Sequence, residues 1–187
     1  MHLYRRFCFW LGIAALGLSA ATGAPIADCK PCGISLAIPR DGLWQGLQKG
    51  DLTTFAMQRG NELFATIEVM KFNNEARYDL DQLAAHYLEY FNMDFAMDGP
   101  FASRQFNGIP ARWGRGHGRS EDGSEFLLHL VFFTAGEEAC YLLTVVPKQA
   151  KKLHEYLMPE IIRSMRRLPP VSQESFPRKP DPSRPLA

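Results

Sequence analysis

An α+β fold, with helices covering an antiparallel sheet, follows from three features of this 187-residue chain. Runs of β-branched and aromatic residues recur in pairs joined by short polar turns, two other stretches switch to a helical period, and the two most apolar runs lack a polar face. Those two runs are Glu125–Thr134 and Ala139–Val146, joined by Ala135-Gly136-Glu137-Glu138, which is the composition of a hairpin. An antiparallel strand with one wet face alternates apolar and polar residues, and neither run does. Both faces are therefore expected to be covered, with this hairpin at the centre of the sheet.

The remaining elements follow in chain order. Residues 25–33 read as a linker holding Cys29-Lys30-Pro31-Cys32. Ile34–Ile38 alternates and stops at Pro39, a first strand, and Arg40-Asp41-Gly42 makes a turn before Trp44, an aromatic anchor. Thr53–Gln58 and Leu63–Met70 form a hairpin around Gly60-Asn61, two residues that tolerate positive φ. Leu80, Leu83, Ala84, Tyr87, Leu88 and Phe91 then fall at helical spacing, with Asp79 and Gln82 placed as a capping box. Ser103–Phe106 and Ile109–Arg119, around Asn107-Gly108, make another hairpin before the central one. Leu153, Leu157, Ile161, Ile162 and Met165 form a second helical stripe, which Pro159 should kink or restart. Residues 34–168 thus read as one domain, and residues 169–187, rich in Pro, Ser and charge, as a disordered tail.

Composition bounds the compartment and the partners. Arg5 and Arg6 precede an uncharged apolar run, Phe7–Leu18, and Ser19-Ala20-Ala21 supplies small residues at the spacing of a cleavage site. Residues 1–24 therefore read as a signal peptide and the mature chain as periplasmic. The apolar run falls short of the about 20 residues that span a bilayer, so no stable membrane span is expected after cleavage. The formal charge is +1, and loss of Arg5 and Arg6 leaves −1. Such a balance provides no field for gathering phosphates, which argues against a nucleic-acid partner. With Cys8 in the leader, three cysteines remain. A Cys29–Cys32 disulfide with Cys140 a buried thiol is the expected pairing; the alternative ties Cys140 to one of the pair.

This element order resembles the PsbP/DcrB/Mog-like superfamily, together with Pro39 closely followed by Trp44, the strand Tyr141–Pro147, and a terminal helix reading Ile161-Ile162-Arg163-Ser164-Met165-Arg166. The similarity runs from Ile34 to Leu168. It implies a compact αβα sandwich used as a binding module, with no shared catalytic residue to carry over. One departure is that Asp28, not a small residue, precedes Cys29, which argues against lipidation at that cysteine.

Among polar stretches, Arg112–Arg119 stands out. In a strand, Trp113, Arg115, His117 and Arg119 share one face and Gly114, Gly116 and Gly118 the other. The bare glycine face admits a close neighbour, while the opposite face presents three groups able to contact an anion or an acidic partner. These four residues are the expected partner-binding site. His129, between Leu128 and Leu130, reads as a satisfied core histidine; His86 and His154 read as helix-surface residues. The Cys pair lacks the following helix of a redox motif, the His of haem attachment and the second pair of a zinc site. The glycines are not placed as in a phosphate loop, and Ser124 and Ser164 have no nucleophile elbow. No catalytic residue, metal or cofactor is expected. The basic terminal helix, with Lys148, Lys151, Lys152, Arg163, Arg166 and Arg167, reads as a solvated face. The function this supports is an exported, non-catalytic, protein-binding module of the bacterial cell envelope. Two alternatives remain: a periplasmic immunity protein neutralising a secreted toxin, and a redox role through the Cys pair.

Overall fold

The computed structural model describes residues 26–39, 43–59, 62–90, 94–120, 122–135 and 138–169. The leader read over residues 1–24 and nearly all of the tail lie outside them. In chain order the strands are β1 (Ile26–Cys29), β2 (Ile34–Ala37), β3 (Trp44–Lys49), β4 (Leu52–Arg59) and β5 (Glu62–Phe72). Helix α1 (Leu80–Tyr90) follows, then β6 (Phe95–Met97), β7 (Ala102–Phe106), β8 (Ile109–Arg119), β9 (Glu125–Ala135) and β10 (Glu138–Pro147). A terminal helical segment ends in α2 (Met158–Arg163) and is followed by β11 (Arg166–Arg167). The large sheet is antiparallel, in the order β3-β4-β5-β10-β9-β8, with β6 and β7 sharing the outer edge of β8. A second, three-stranded sheet has the order β1-β2-β11.

The unalternating hairpin is central, as its composition requires. On β9, Phe126, Leu128, Leu130 and Phe132 join Tyr141 and Leu143 of β10 in a core that also holds Leu83 and Ala84 of α1. The intervening Val131 and Phe133 join Cys140, Leu142 and Val146 in the opposite core, closed by Ile34 and Leu36 of β2 and by Met158, Ile161 and Ile162 of α2. Two layers are therefore needed, one on each side. Phe132 and Phe133 are fully buried on opposite faces, each contributing about 2 kcal/mol by area. No helix among the described residues is long and apolar enough to cross a membrane.

Local chemistry sets the element ends. Asp79 Oδ1 accepts hydrogen bonds from the backbone N–H groups of Asp81 and Gln82, both 2.9 Å, and Gln82 Oε1 accepts from Asp79 N at 3.0 Å. That is the capping box read from the sequence. Asn107 (φ 46°) and Gly108 (φ 84°) make the two-residue turn between β7 and β8. Pro159 lies in the first turn of α2, after a π-helical turn over Leu153–Leu157. The proline thus restarts the helix where its missing N–H is harmless.

The structure departs from the sequence reading at three places. The stretch read as a linker, residues 25–33, contains β1 and a 3₁₀ turn over Lys30–Cys32, because β1 pairs with β2 and both cysteines enter the core. Strand β3 was not legible: its residues from Gly46 onward are exposed, so no apolar pattern marks them. Strand β6 has only three residues and no apolar alternation, and is positioned by β8. The three described cysteines are buried and stand as thiols, with no disulfide among the described residues.

The glycine face of β8 is used as its spacing suggests. A Cβ on Gly116 would lie 2.5 Å from the Ala96 carbonyl oxygen, and one on Gly118 2.6 Å from that of Asp94. Backbone cannot retreat as a flexible side chain can. Gly116→Ala is expected to lower unfolding stability by about 2 kcal/mol, read as a shifted urea midpoint at unchanged slope. An unmoved midpoint would refute the close-approach account.

Candidate functional site: a cationic strand face beside a buried histidine pair

Strand β8 brings the four predicted residues onto one side, opposite the glycines. They do not share one environment. Trp113 is half-buried, whereas Arg115, His117 and Arg119 are exposed. The indole packs edge-on against Phe106, with ring centroids 6.0 Å apart, and faces two guanidinium groups. The Cζ of Arg115 lies 5.6 Å from the ring centroid, and that of Arg163, from α2, 6.0 Å. Trp113 is thus a wedge that seats cations and less a contact residue itself.

Beneath it the sequence reading of His129 holds. This side chain is fully buried, and Trp113 Nε1–H donates to its Nδ1 at 3.0 Å. Its Nε2 lies 2.8 Å from the His154 carbonyl oxygen. An acceptor at Nδ1 and a carbonyl at Nε2 together fix the neutral Nε2–H tautomer. Burial pulls the His129 pKa down to about 3, against which the His154 hydrogen bond acts. His154 corrects an expectation. It is buried, not on the helix surface, and its ring stacks on His129 at 4.1 Å because the π-helical turn directs it inward. Burial lowers its pKa as well. His86, on α1, is half-buried with its ring 4.9 Å from Tyr78.

Above this pair the exposed groups form a mixed-charge surface. His117 Nδ1 lies 2.7 Å from Asp98 Oδ1. Arg119 approaches Glu125 at 3.8 Å, and Lys148 reaches the other oxygen of that carboxylate at 2.9 Å. Lys148 holds the Glu125 pKa below the usual range. Exposed pairs of this kind contribute about 0–1 kcal/mol, so they stabilise little and can exchange for a partner's groups. Arg112, facing the other way, forms a bidentate pair with Asp81 of α1 and bonds Ser103 at 2.9 Å. It secures β8 to the helix layer.

Sequence reasoning missed Asp98, Glu125, Lys148 and Arg163 as neighbours of the ladder. Asp98 follows a strand too short to read, and Arg163 looked like one of several solvated helix cations. Elsewhere, Asp122 accepts from Ser120 Oγ and Ser124 N, and Glu138, the first residue of β10, lies 3.5 Å from Lys71. A shallow depression of about 220 Å³ is lined by Asn73, Asn74, Tyr78 and His86. There Asn74 is occupied with the backbone N–H and carbonyl of Tyr78.

No family model and no curated relative matches the chain. Among solved structures, it is similar to cyanobacterial PsbP from Synechocystis, with 12% identity, a TM-score of 0.54, and coverage of 81% of this chain and 98% of that one. The chain has a PsbP/DcrB-like fold. This PsbP-like chain is also similar to LpqN of Mycobacterium tuberculosis, described as involved in cell envelope biogenesis, at 14% identity and a TM-score of 0.51, over 73% of this chain and 83% of that one. A Bacteroides thetaiotaomicron structure is matched at 17% identity and a TM-score of 0.49, over 75% of this chain, which spans about half (47%) of that longer one.

The histidine pair has a pH signature. Because the folded pKa of His129 lies below its ordinary 6.5, the unfolded chain binds the proton first as pH falls. The contribution is complete above about 6.5 and lost progressively toward about 3. Between pH 7 and 4 this should remove on the order of 3 kcal/mol, measured by urea unfolding. His129→Gln, which keeps an acceptor and a donor, should flatten that dependence; an unchanged slope against pH would contradict the assignment.

Proposed function

We propose that this chain is an exported, non-catalytic protein-binding module of the bacterial cell envelope, and that its contact face is the Arg115–His117–Arg119 ladder with Arg163. The observation that carries this reading is the ladder itself. Three exposed cationic or titratable groups stand in strand register on a rigid central sheet, and one of them stacks on a tryptophan whose N–H is already committed below. Such a face is preorganised, so little side-chain entropy is lost when a partner's carboxylates replace Asp98 and Glu125. The fold likeness adds support, since LpqN is described as involved in cell envelope biogenesis. The chemistry-bearing side chains found together are also committed elsewhere: His129 to two hydrogen bonds, His117 to Asp98, and the cysteines to the core. The leader-like first 24 residues support export to the periplasm.

The test is site-specific photocrosslinking in intact cells, with the crosslinker at Arg115, at His117 or, as control, at exposed Ala76. One discrete adduct from the first two positions, none from Ala76, and release of the protein by osmotic shock are expected. Arg115→Glu with Arg119→Glu should weaken the adduct by roughly tenfold or more while leaving the urea midpoint in place. Adducts of equal strength at all three positions, or retention in the cytoplasm, would defeat the proposal.

A further inference from the structure

The core contains a feature that the contact face does not use. Cys29 ends β1, Cys32 ends the 3₁₀ turn that follows, and Cys140 lies on β10 more than a hundred residues away, yet all three belong to one apolar cluster. Their exposures are 0%, 1% and 0%. The Lys30–Cys32 turn packs directly on β5 and β10, and Cys140 points to that side with Leu142 and Val146. The turn that ends in Cys32 thus lies against the strand that carries Cys140, whereas β1, which ends in Cys29, pairs with β2.

We propose that Cys32 and Cys140 are a disulfide-forming pair, and that Cys29 is the cysteine left as a thiol. This replaces the local pairing suggested by the Cys-x-x-Cys spacing. A Cys29–Cys32 bridge would close a loop of a few residues within one turn and exclude few unfolded conformations. A Cys32–Cys140 bridge closes a loop of roughly 100 residues and fastens the N-terminal hairpin to the middle of the sheet, so it constrains the unfolded chain far more.

The bond forms by exchange with a disulfide-bearing oxidant, either a dithiol–disulfide oxidoreductase or oxidised glutathione. One thiolate attacks the oxidant's disulfide and releases one of its sulfurs as a thiol; the second cysteine then displaces the other. Two protons and two electrons leave the protein, and the oxidant departs as two thiols. Burial pushes the Cys29 thiol up to about 12, and the neighbouring Cys32 thiol, together with burial, raises that of Cys140, so neither ionises readily once the core has closed. Oxidation therefore belongs to folding, and the finished bond is shielded from mild reductant.

The inference needs an oxidant but not the contact face. It is tested on the purified chain, so its failure is separable from failure of the partner reading. The Cys8→Ser chain, in which the three cysteines are the remaining thiols, is refolded in a glutathione redox mixture, alkylated after denaturation, digested and mapped by mass. A linked Cys32–Cys140 peptide with Cys29 alone alkylated is expected. Reduction should then lower the thermal midpoint by on the order of 10 °C. Cys29→Ser should keep both results, and Cys140→Ser should lose the reduction-sensitive shift. A Cys29–Cys32 peptide, a Cys29–Cys140 peptide, or alkylation of all three cysteines would overturn it. The map is read on a chain with all three cysteines in place, so a folding defect in either serine variant leaves it decisive.

Discussion

Burial of the β9–β10 hairpin on both faces is the constraint from which the architecture follows. A hairpin with Phe132, Leu130 and Leu143 on one side and Phe133, Val131 and Leu142 on the other cannot sit at a water-facing sheet. Each face requires its own layer, and the chain supplies them from different places. Helix α1 comes from the middle of the sequence and covers one side. The other is closed jointly by the first hairpin and the terminal helix, which β11 and the Leu168 N–H to Gly33 carbonyl bond hold together.

That second layer is fastened by polar devices at its margins. Asn107, at the β7–β8 turn, donates to the carbonyls of Arg163 and Met165 at 3.0 and 2.9 Å, satisfying the end of α2. Ser164 Oγ accepts from Ala37 N at 2.8 Å and donates to the Ile161 carbonyl. The most deeply buried of these devices is the chain Trp113–His129–His154. It links β8, β9 and the π-helical turn through two hydrogen bonds and one ring stack. A buried histidine held neutral in this way specifies how the helix sits on the sheet. The same wedge of Trp113 supports the exposed cations, so the position of the contact face depends on the order of the core below it.

Much of this was legible in the residues because local and global signals agreed. The capping box at Asp79, the Asn107-Gly108 turn, the helical restart at Pro159 and the opposed glycine and cationic faces of β8 are all short-range patterns. They were read correctly because a turn or a strand face depends on spacing alone. What escaped lacked such a pattern. Strand β3 is exposed along most of its length and β6 has three residues; both exist because a neighbouring strand offers them hydrogen bonds. The stretch read as a linker became a strand because its cysteines found a core.

By itself, then, the sequence determined the fold class, the double coverage of the central hairpin, and which residues of β8 would face together, since all three depend on periodicity and on apolar content. Tertiary structure alone decided that Trp113 would be a half-buried wedge, that His154 would turn inward onto His129, that Asp98, Glu125 and Arg163 would border the cationic ladder, and that Cys32 and Cys140 would share one core. These are contacts between residues far apart in the chain, and their partners are chosen by the packing of layers. No spacing rule records that choice.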